Sequence, residues 1–430
     1  MIELRRTNVL AAGIAIVLAF LALNYRAYDG FFQDDELDNI SWAPSRPMAE
    51  FAVGVLKPVF DRDNFRPPGH LYFALMGRAF GMDFPPYMTP IFAIHLINAA
   101  LLFFLMRKLG IKAWCALAGA AFFTLSATAF DAYWKPMYVF DLLCTMFSLA
   151  SILLFVRRQW VLSFVAFWLA YKSKELAVML PAVLLIYEYW LGERRFIVLI
   201  PFFIAALSFG LQGILLNPNR DNEYTFHFTL DALRKTVPFY SERFLFIPYS
   251  ALLLFGLALT RDRRVWFGLA AMVCFAFVLL FLPGRLYEAY AYLPFACAII
   301  ALTAAASKVN AVWLWVVLAI WLPFDVRQLR REQVLKLSLD DQAYTFVEQV
   351  QGWARRHPAI TTLVYDGAPP GLHDWGVTAA WNIAHATTGL PALFHDWPQA
   401  AMAIERDTVA FATRDGQSQK LSFQIHSPSK

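Results

Sequence analysis

Four carboxylates within five positions open the chemistry of this chain: Asp34, Asp35, Glu36 and Asp38, in the stretch FFQDDELDNISWA at 31–43. Carboxylates beside an apolar environment are costly to desolvate, so they ask for a task. At a water–membrane boundary, Asp34 or Asp35 can act as a general base on an acceptor hydroxyl. Alternatively, Asp34 and Asp35, with Asp38, could bind a divalent cation such as Mg²⁺ or Mn²⁺. A solvated acidic loop, or a helix N-terminal cap, accounts for such a cluster equally well. The flanking Phe31, Phe32, Ile40 and Trp42 favour an acidic tip lowered onto a membrane-embedded groove.

Cations able to meet a phosphate occur in three further stretches. NFRPPGHLY at 64–72 holds Arg66 and His70, separated by Pro67, Pro68 and Gly69, so helical spacing does not relate them. Arg66 suits a bidentate phosphate contact, or a salt bridge to Asp61 or Asp63. YKSKELAVMLP at 171–181 holds Lys174 and Glu175 at an expected helix start, with Ser173 as its cap. A Lys–Glu pair beneath the outer surface is costly unless it faces a polar cavity. PGRLYEAYAYLP at 283–294 places Arg285 between two apolar runs, near Tyr287, Tyr290 and Tyr292. Tyrosines there suit an interfacial belt, whereas Arg285 suits an anionic lipid headgroup. There is no Gly-rich nucleotide loop and no paired-His metal motif. The net charge of +5 carries no nucleic-acid signal. The four cysteines lack Cys-x-x-Cys spacing, which argues against a zinc site or a disulfide framework.

The elements that must hold these residues are membrane spans. Of 430 residues, 59% are hydrophobic and 16% charged, against about 25% charged in soluble domains. A spanning helix needs roughly 20 mostly apolar residues. Eleven runs qualify once flanks are included: Val9–Leu23, Ile91–Met106, Ala113–Phe130, Met137–Val156, Trp160–Tyr171, Leu176–Leu191, Phe196–Leu216, Phe244–Leu259, Val265–Leu282, Ala289–Ala306 and Val309–Phe324. Basic residues concentrate in alternate connections, which places those connections in the cytoplasm. Lys135, Lys172, Lys174 and Arg285 fall in the opposite set, which singles them out for function. The start of the chain reads as a retained signal anchor.

This pattern predicts a polytopic α-helical membrane protein of about eleven transmembrane helices with a small C-terminal α/β domain. Residues 1–324 form the membrane module, with a first outer loop at 26–86 in which Met48–Phe60 is an amphipathic surface helix. Residues 325–430 form the extracytoplasmic domain. Within it, Gln333–Arg356 and Val377–Thr388 read as helices, and Thr361–Asp366 as a buried strand. Thr408–Thr413 and Leu421–His426 read as a hairpin around Gly416.

The order of these blocks resembles a family. An acidic pair in the first outer loop is followed by FRP…GHLYF…FG…IHLINAALL, then SKELAVMLPAVLLIYEYWL, then R-x-Y…YLP. This is similar to the GT-C superfamily of polyprenyl-phosphate-sugar-dependent glycosyltransferases. The protein O-mannosyltransferase branch is nearest, and the bacterial aminoarabinose transferase is more distant. The resemblance covers roughly residues 1–300. It implies an inverting transferase in the inner (plasma) membrane, with its active site on the periplasmic or outer face. The donor would be a sugar on a polyprenyl phosphate, held among membrane lipids. The acceptor would be a glycan, lipid or protein. The resemblance also implies a catalytic acid residue at Asp34 or Asp35, with Asp34 favoured as base and Asp35 as its partner. Lys174 and Arg285 would lie near the lipid phosphate, with Glu175, Arg66, His70, Tyr287 and Tyr292 lining the substrate site. Two rival functions fit the same composition: a flippase or transporter of a lipid-linked sugar, and a non-catalytic envelope-assembly subunit.

Overall fold

The computed structural model describes residues 6–58, 65–216, 223–244, 246–309, 311–416 and 418–428. The chain divides into two compact units. The first comprises Met1–Tyr25, Phe51–Gly69 and Thr89–Leu329; the second comprises Arg26–Glu50, His70–Met88 and Arg330–Lys430.

Among the described residues, six helical stretches are long and apolar enough to cross a membrane. They are Asn8–Asp29, Pro85–Lys108, Pro136–Val156, Arg263–Leu280, Glu288–Ala306 and Val312–Arg356. A seventh is the pair Ala113–Leu125 and Ala127–Trp134, bent by 54°. The protein is therefore a polytopic helical membrane protein. The other four apolar runs fall on shorter helices, such as Trp160–Ser173 with 14 residues and Leu180–Trp190 with 11.

Local chemistry explains how the first unit packs. The 54° bend falls at Ser126, where the backbone turns extended. The amide freed there, on Ala127, donates to Asp325 Oδ2 at 2.9 Å, and the Ser126 hydroxyl donates to Asp325 Oδ1 at 3.2 Å. A buried carboxylate thus satisfies a helix terminus that lipid could not. The helices Val139–Val156 and Trp160–Ser173 are joined by reciprocal bonds, each serine hydroxyl of Ser151 and Ser163 donating to the other's carbonyl at 2.8 Å. Polar bonds of this kind hold helices together where no hydrophobic force between them exists. The helices Arg263–Leu280 and Tyr292–Ala306 approach closely at Gly268, where a Cβ would come within 2.5 Å of the Ala301 amide nitrogen.

The second unit is built on a four-stranded mixed sheet in the order β2-β1-β3-β4. The strands are β1 (Thr362–Tyr365), β2 (Ala392–Phe394), β3 (Val409–Arg414) and β4 (Leu421–His426). β1 runs parallel to β2 and β3, and β3 pairs antiparallel with β4. All four residues of β1 are buried, as a central parallel strand requires. Val364, Ala400 and Val409 form the core beneath the helix Pro398–Arg406. The helix Asp374–Ala384 packs on the short helix Asp34–Trp42.

The β-hairpin forms where the sequence predicts it, and the helix expected at Val377–Thr388 is observed over Asp374–Ala384. β2 and the helix Pro398–Arg406 were not anticipated. The helix ending at Arg356 begins at Ala311 and runs 46 residues without interruption, so it passes straight through residue 324. The surface helix expected at Met48–Phe60 is observed over Met48–Leu56; Val59 and Phe60 lie outside the described residues.

Candidate active site

The acidic stretch is a helix, not a loop. Asp34, Asp35 and Glu36 occupy its first turn, where the exposed amides and the helix dipole favour negative charge. Glu36 has a capping role: its Oε2 accepts from the Gln33 amide at 2.7 Å. The Gln33 side chain donates to Asp340 Oδ1 at 2.8 Å. Asp38 accepts from the Trp42 indole at 3.4 Å, and burial lifts its carboxyl above the ordinary value.

Asp34 and Asp35 have different partners. Asp34 is buried, and both of its oxygens are engaged by one residue. The His373 amide donates to Oδ1 at 2.6 Å, and His373 Nδ1 lies 2.5 Å from Oδ2. Burial raises the Asp34 carboxyl above the ordinary range, and the His373 bonds pull against that rise without cancelling it. Asp35 is half-buried and accepts from the Trp375 indole at 3.0 Å. His373 and Trp375 stack with ring centroids 4.6 Å apart and planes 7° from parallel. Gly376 completes the arrangement, since a Cβ there would collide with Asp34 Oδ1. His70, also in the second unit, is buried edge-on against Trp42 with centroids 4.8 Å apart.

The first unit gathers three of the cations singled out in the sequence, Arg66, Lys174 and Arg285, around Tyr290, whereas Lys172 faces Trp168 and Phe209. Arg66 holds Glu175 in a bidentate pair, Nε to Oε1 at 2.9 Å and Nη2 to Oε2 at 3.0 Å. Asp61 and Asp63, the alternative partners, lie outside the described residues. Burial works against the Glu175 charge, but Arg66 outweighs it and holds the carboxyl below the ordinary range. Lys174 Nζ donates to both oxygens of Asp141 at 2.6 Å and sits 3.7 Å above the Tyr290 ring. Arg285 donates to the Tyr290 hydroxyl and to Glu223 Oε2, both at 3.2 Å. It also stacks on Tyr224 and Tyr287 at 4.3 and 4.6 Å. Tyr290 therefore links Lys174 to Arg285, and the Arg285 Nε is buried without a hydrogen-bond partner among the described residues.

Two expectations change on contact with this geometry. Ser173 does not cap the following helix; its hydroxyl bonds back to the Leu169 carbonyl at 2.8 Å and closes the preceding one. Tyr292 is fully buried, and its hydroxyl is taken by His95 Nδ1 at 2.7 Å and the Asn98 amide at 3.3 Å. Sequence reasoning missed His373, Trp375, Asp141 and Glu223. Asp141 had a signal: a carboxylate inside an apolar run requires a partner. His373 had none, being 339 positions from Asp34.

Among the described residues, no three His, Cys, Asp or Glu side chains converge on a point that could hold a metal ion. Both Asp34 oxygens already accept from His373, and Asp35 Oδ1 accepts from Trp375.

No protein-family model and no curated protein matches the chain. Among solved structures it resembles ArnT from Cupriavidus metallidurans, determined bound to undecaprenyl phosphate. The TM-score is 0.52 at 12% identity, over 99% of this chain and 97% of that one. The likeness is one of fold, and the fold is GT-C-like.

Proposed function

We propose that this GT-C-like fold, shared across 99% of the chain with a structure that holds undecaprenyl phosphate, serves a membrane glycosyltransferase. The enzyme moves a sugar from a polyprenyl-phosphate donor to an acceptor hydroxyl, with inversion, on the outer face of the plasma membrane. In this reading all eleven apolar runs belong to the membrane module of residues 1–324. The outer loop 26–86 and residues 325–430 face the periplasm or exterior.

A glycosyl phosphate already carries a good leaving group. The protein has to stabilise negative charge growing on the phosphate and to accept a proton from the acceptor. The first task suits Lys174 and Arg285, which share Tyr290, with Arg66 and Glu175 bracing the same region. The unpartnered Arg285 Nε supports this assignment, because a phosphate oxygen supplies the acceptor it lacks. Tyr287 packs on the Arg285 guanidinium and keeps it in place. The second task suits the site around the helix Asp34–Trp42, where Asp34 is the carboxylate that drives proton transfer and Asp35 lies beside it.

The test is release of undecaprenyl phosphate by the full chain in lipid nanodiscs. The donors are synthetic undecaprenyl-phosphate monosaccharides, and the acceptor is an envelope extract. Wild type is expected to release it, and Asp34→Asn to lose about 10²–10⁴-fold in rate. A wild-type protein that releases none from any donor, yet moves these lipids across a liposome bilayer, is a transporter and not a transferase.

A further inference from the structure

The Asp34–His373 pair has a property that its two carboxylate contacts alone do not use. With Asp34 ionised, the 2.5 Å contact to Oδ2 requires a hydrogen on His373 Nδ1. The second ring nitrogen, Nε2, is then the one with a lone pair. The His373 side chain is 65% exposed, whereas that of Asp34 is 13% exposed. The carboxylate is therefore shielded by the ring, and the ring is open.

Three features fix the imidazole. The backbone amide of the same residue anchors Asp34 Oδ1, so carboxylate and ring cannot swing independently. Trp375 stacks on the ring, and its indole is itself held by Asp35. The missing side chain at Gly376 admits the Asp34 oxygen. An imidazole held at one nitrogen by a carboxylate has its tautomer and orientation fixed, with the lone pair presented at the other.

We infer that His373 is the group that takes the acceptor proton, with Asp34 as the residue that positions it and balances its charge. This rests on the proposed transfer reaction. The acceptor O–H bond breaks and its proton goes to His373 Nε2. The acceptor oxygen forms the new bond to the anomeric carbon. The bond from that carbon to the phosphate oxygen breaks, and its electron pair leaves with the polyprenyl phosphate. The imidazolium, faced by Asp34 and with Asp35 and Asp374 nearby on the same two helices, returns its proton to water.

Two measurements test this. In the nanodisc assay, His373→Gln keeps an amide donor that can reach Asp34, so the packing of the two helices is preserved. It is expected to lose about 10²–10⁴-fold in kcat, with KM largely unchanged. His373→Ala is expected to regain part of its rate when free imidazole is added. A His373→Gln protein with undiminished kcat, beside an inactive Asp34→Asn protein, overturns the inference and returns the proton to the carboxylate. A wild-type protein inactive with every donor fails the transferase reading instead. The second measurement needs no substrate: carbethoxylation by diethylpyrocarbonate, located by mass spectrometry. Among the eight histidines, His373 is expected to react fastest, and Asp34→Asn to slow it. Equal rates in the two proteins would mean that Asp34 does not activate the ring, and the inference falls.

Discussion

At the scale of single residues, the protein places its charges in pairs, and the pairs differ in exposure. Asp141 and Lys174 are almost fully buried. Replacing Asp141 by Asn leaves the ammonium without its counter-charge, at a cost of about 3–5 kcal/mol. Thermal unfolding in detergent should show this drop, and Asp141→Asn combined with Lys174→Met should recover most of it. Glu223 is the opposite case: its side chain is 58% exposed, and it holds Arg285 from outside. A carboxylate there occupies a donor that a phosphate also wants. Glu223→Ala is expected to bind undecaprenyl phosphate roughly 1.4–5-fold more tightly, the equivalent of about 0.2–1 kcal/mol for an exposed pair. Unchanged affinity in a titration would separate Arg285 from the lipid. Glu175 gives a pH signature. Its folded value lies below the ordinary one, so the pair with Arg66 adds stability above the unfolded pKa of Glu. That increment is lost as pH falls through the lower folded value. A Glu175→Gln protein should therefore lack this segment of the acid decline in melting temperature.

At the scale of elements, much was legible and the failures have physical causes. The apolar runs announced helices because lipid tolerates no unsatisfied backbone. Their lengths were less legible, because breaks such as Ser126 are repaired by partners far along the chain, here Asp325. β2 has only three residues, too few for an alternating pattern to show. The acidic turn was read as a base, a cation site or a cap. Glu36 has turned out to be the cap, while Asp34 and Asp35 make contacts that local sequence does not encode. Close helix contacts rest on glycines. Gly268→Val should force the helices Arg263–Leu280 and Tyr292–Ala306 apart, at about 1–3 kcal/mol. Gly376→Ala should push Asp34 away from His373 and reduce the transfer rate more than the stability.

At the scale of the whole molecule, the singled-out residues divide between the two units. Arg66, Lys174, Arg285 and their tyrosines belong to the first, and Asp34, Asp35 and His373 belong to the second. The sequence predicted a boundary at residue 324, where composition changes. By packing, the second unit also takes in Arg26–Glu50 and His70–Met88. Composition reports the solvent that each segment meets, whereas a compact unit is defined by which segments cover one another. Residues 330–430 expressed alone lack the helix Asp34–Trp42 that covers Asp374–Ala384. Such a fragment should exchange the amide hydrogens of that helix faster than the full chain does.

The 339 positions between Asp34 and His373 also set a schedule. A ribosome working at about 5–20 residues per second needs roughly 17–70 s to go from one to the other. Throughout that interval the aspartate has been made and its imidazole has not. A nascent chain cut short between Arg285 and His373 would carry the cationic residues and Asp34 without its imidazole partner. On the proposed reading, proton transfer would become available only once the ribosome has passed His373, long after the cations are in place.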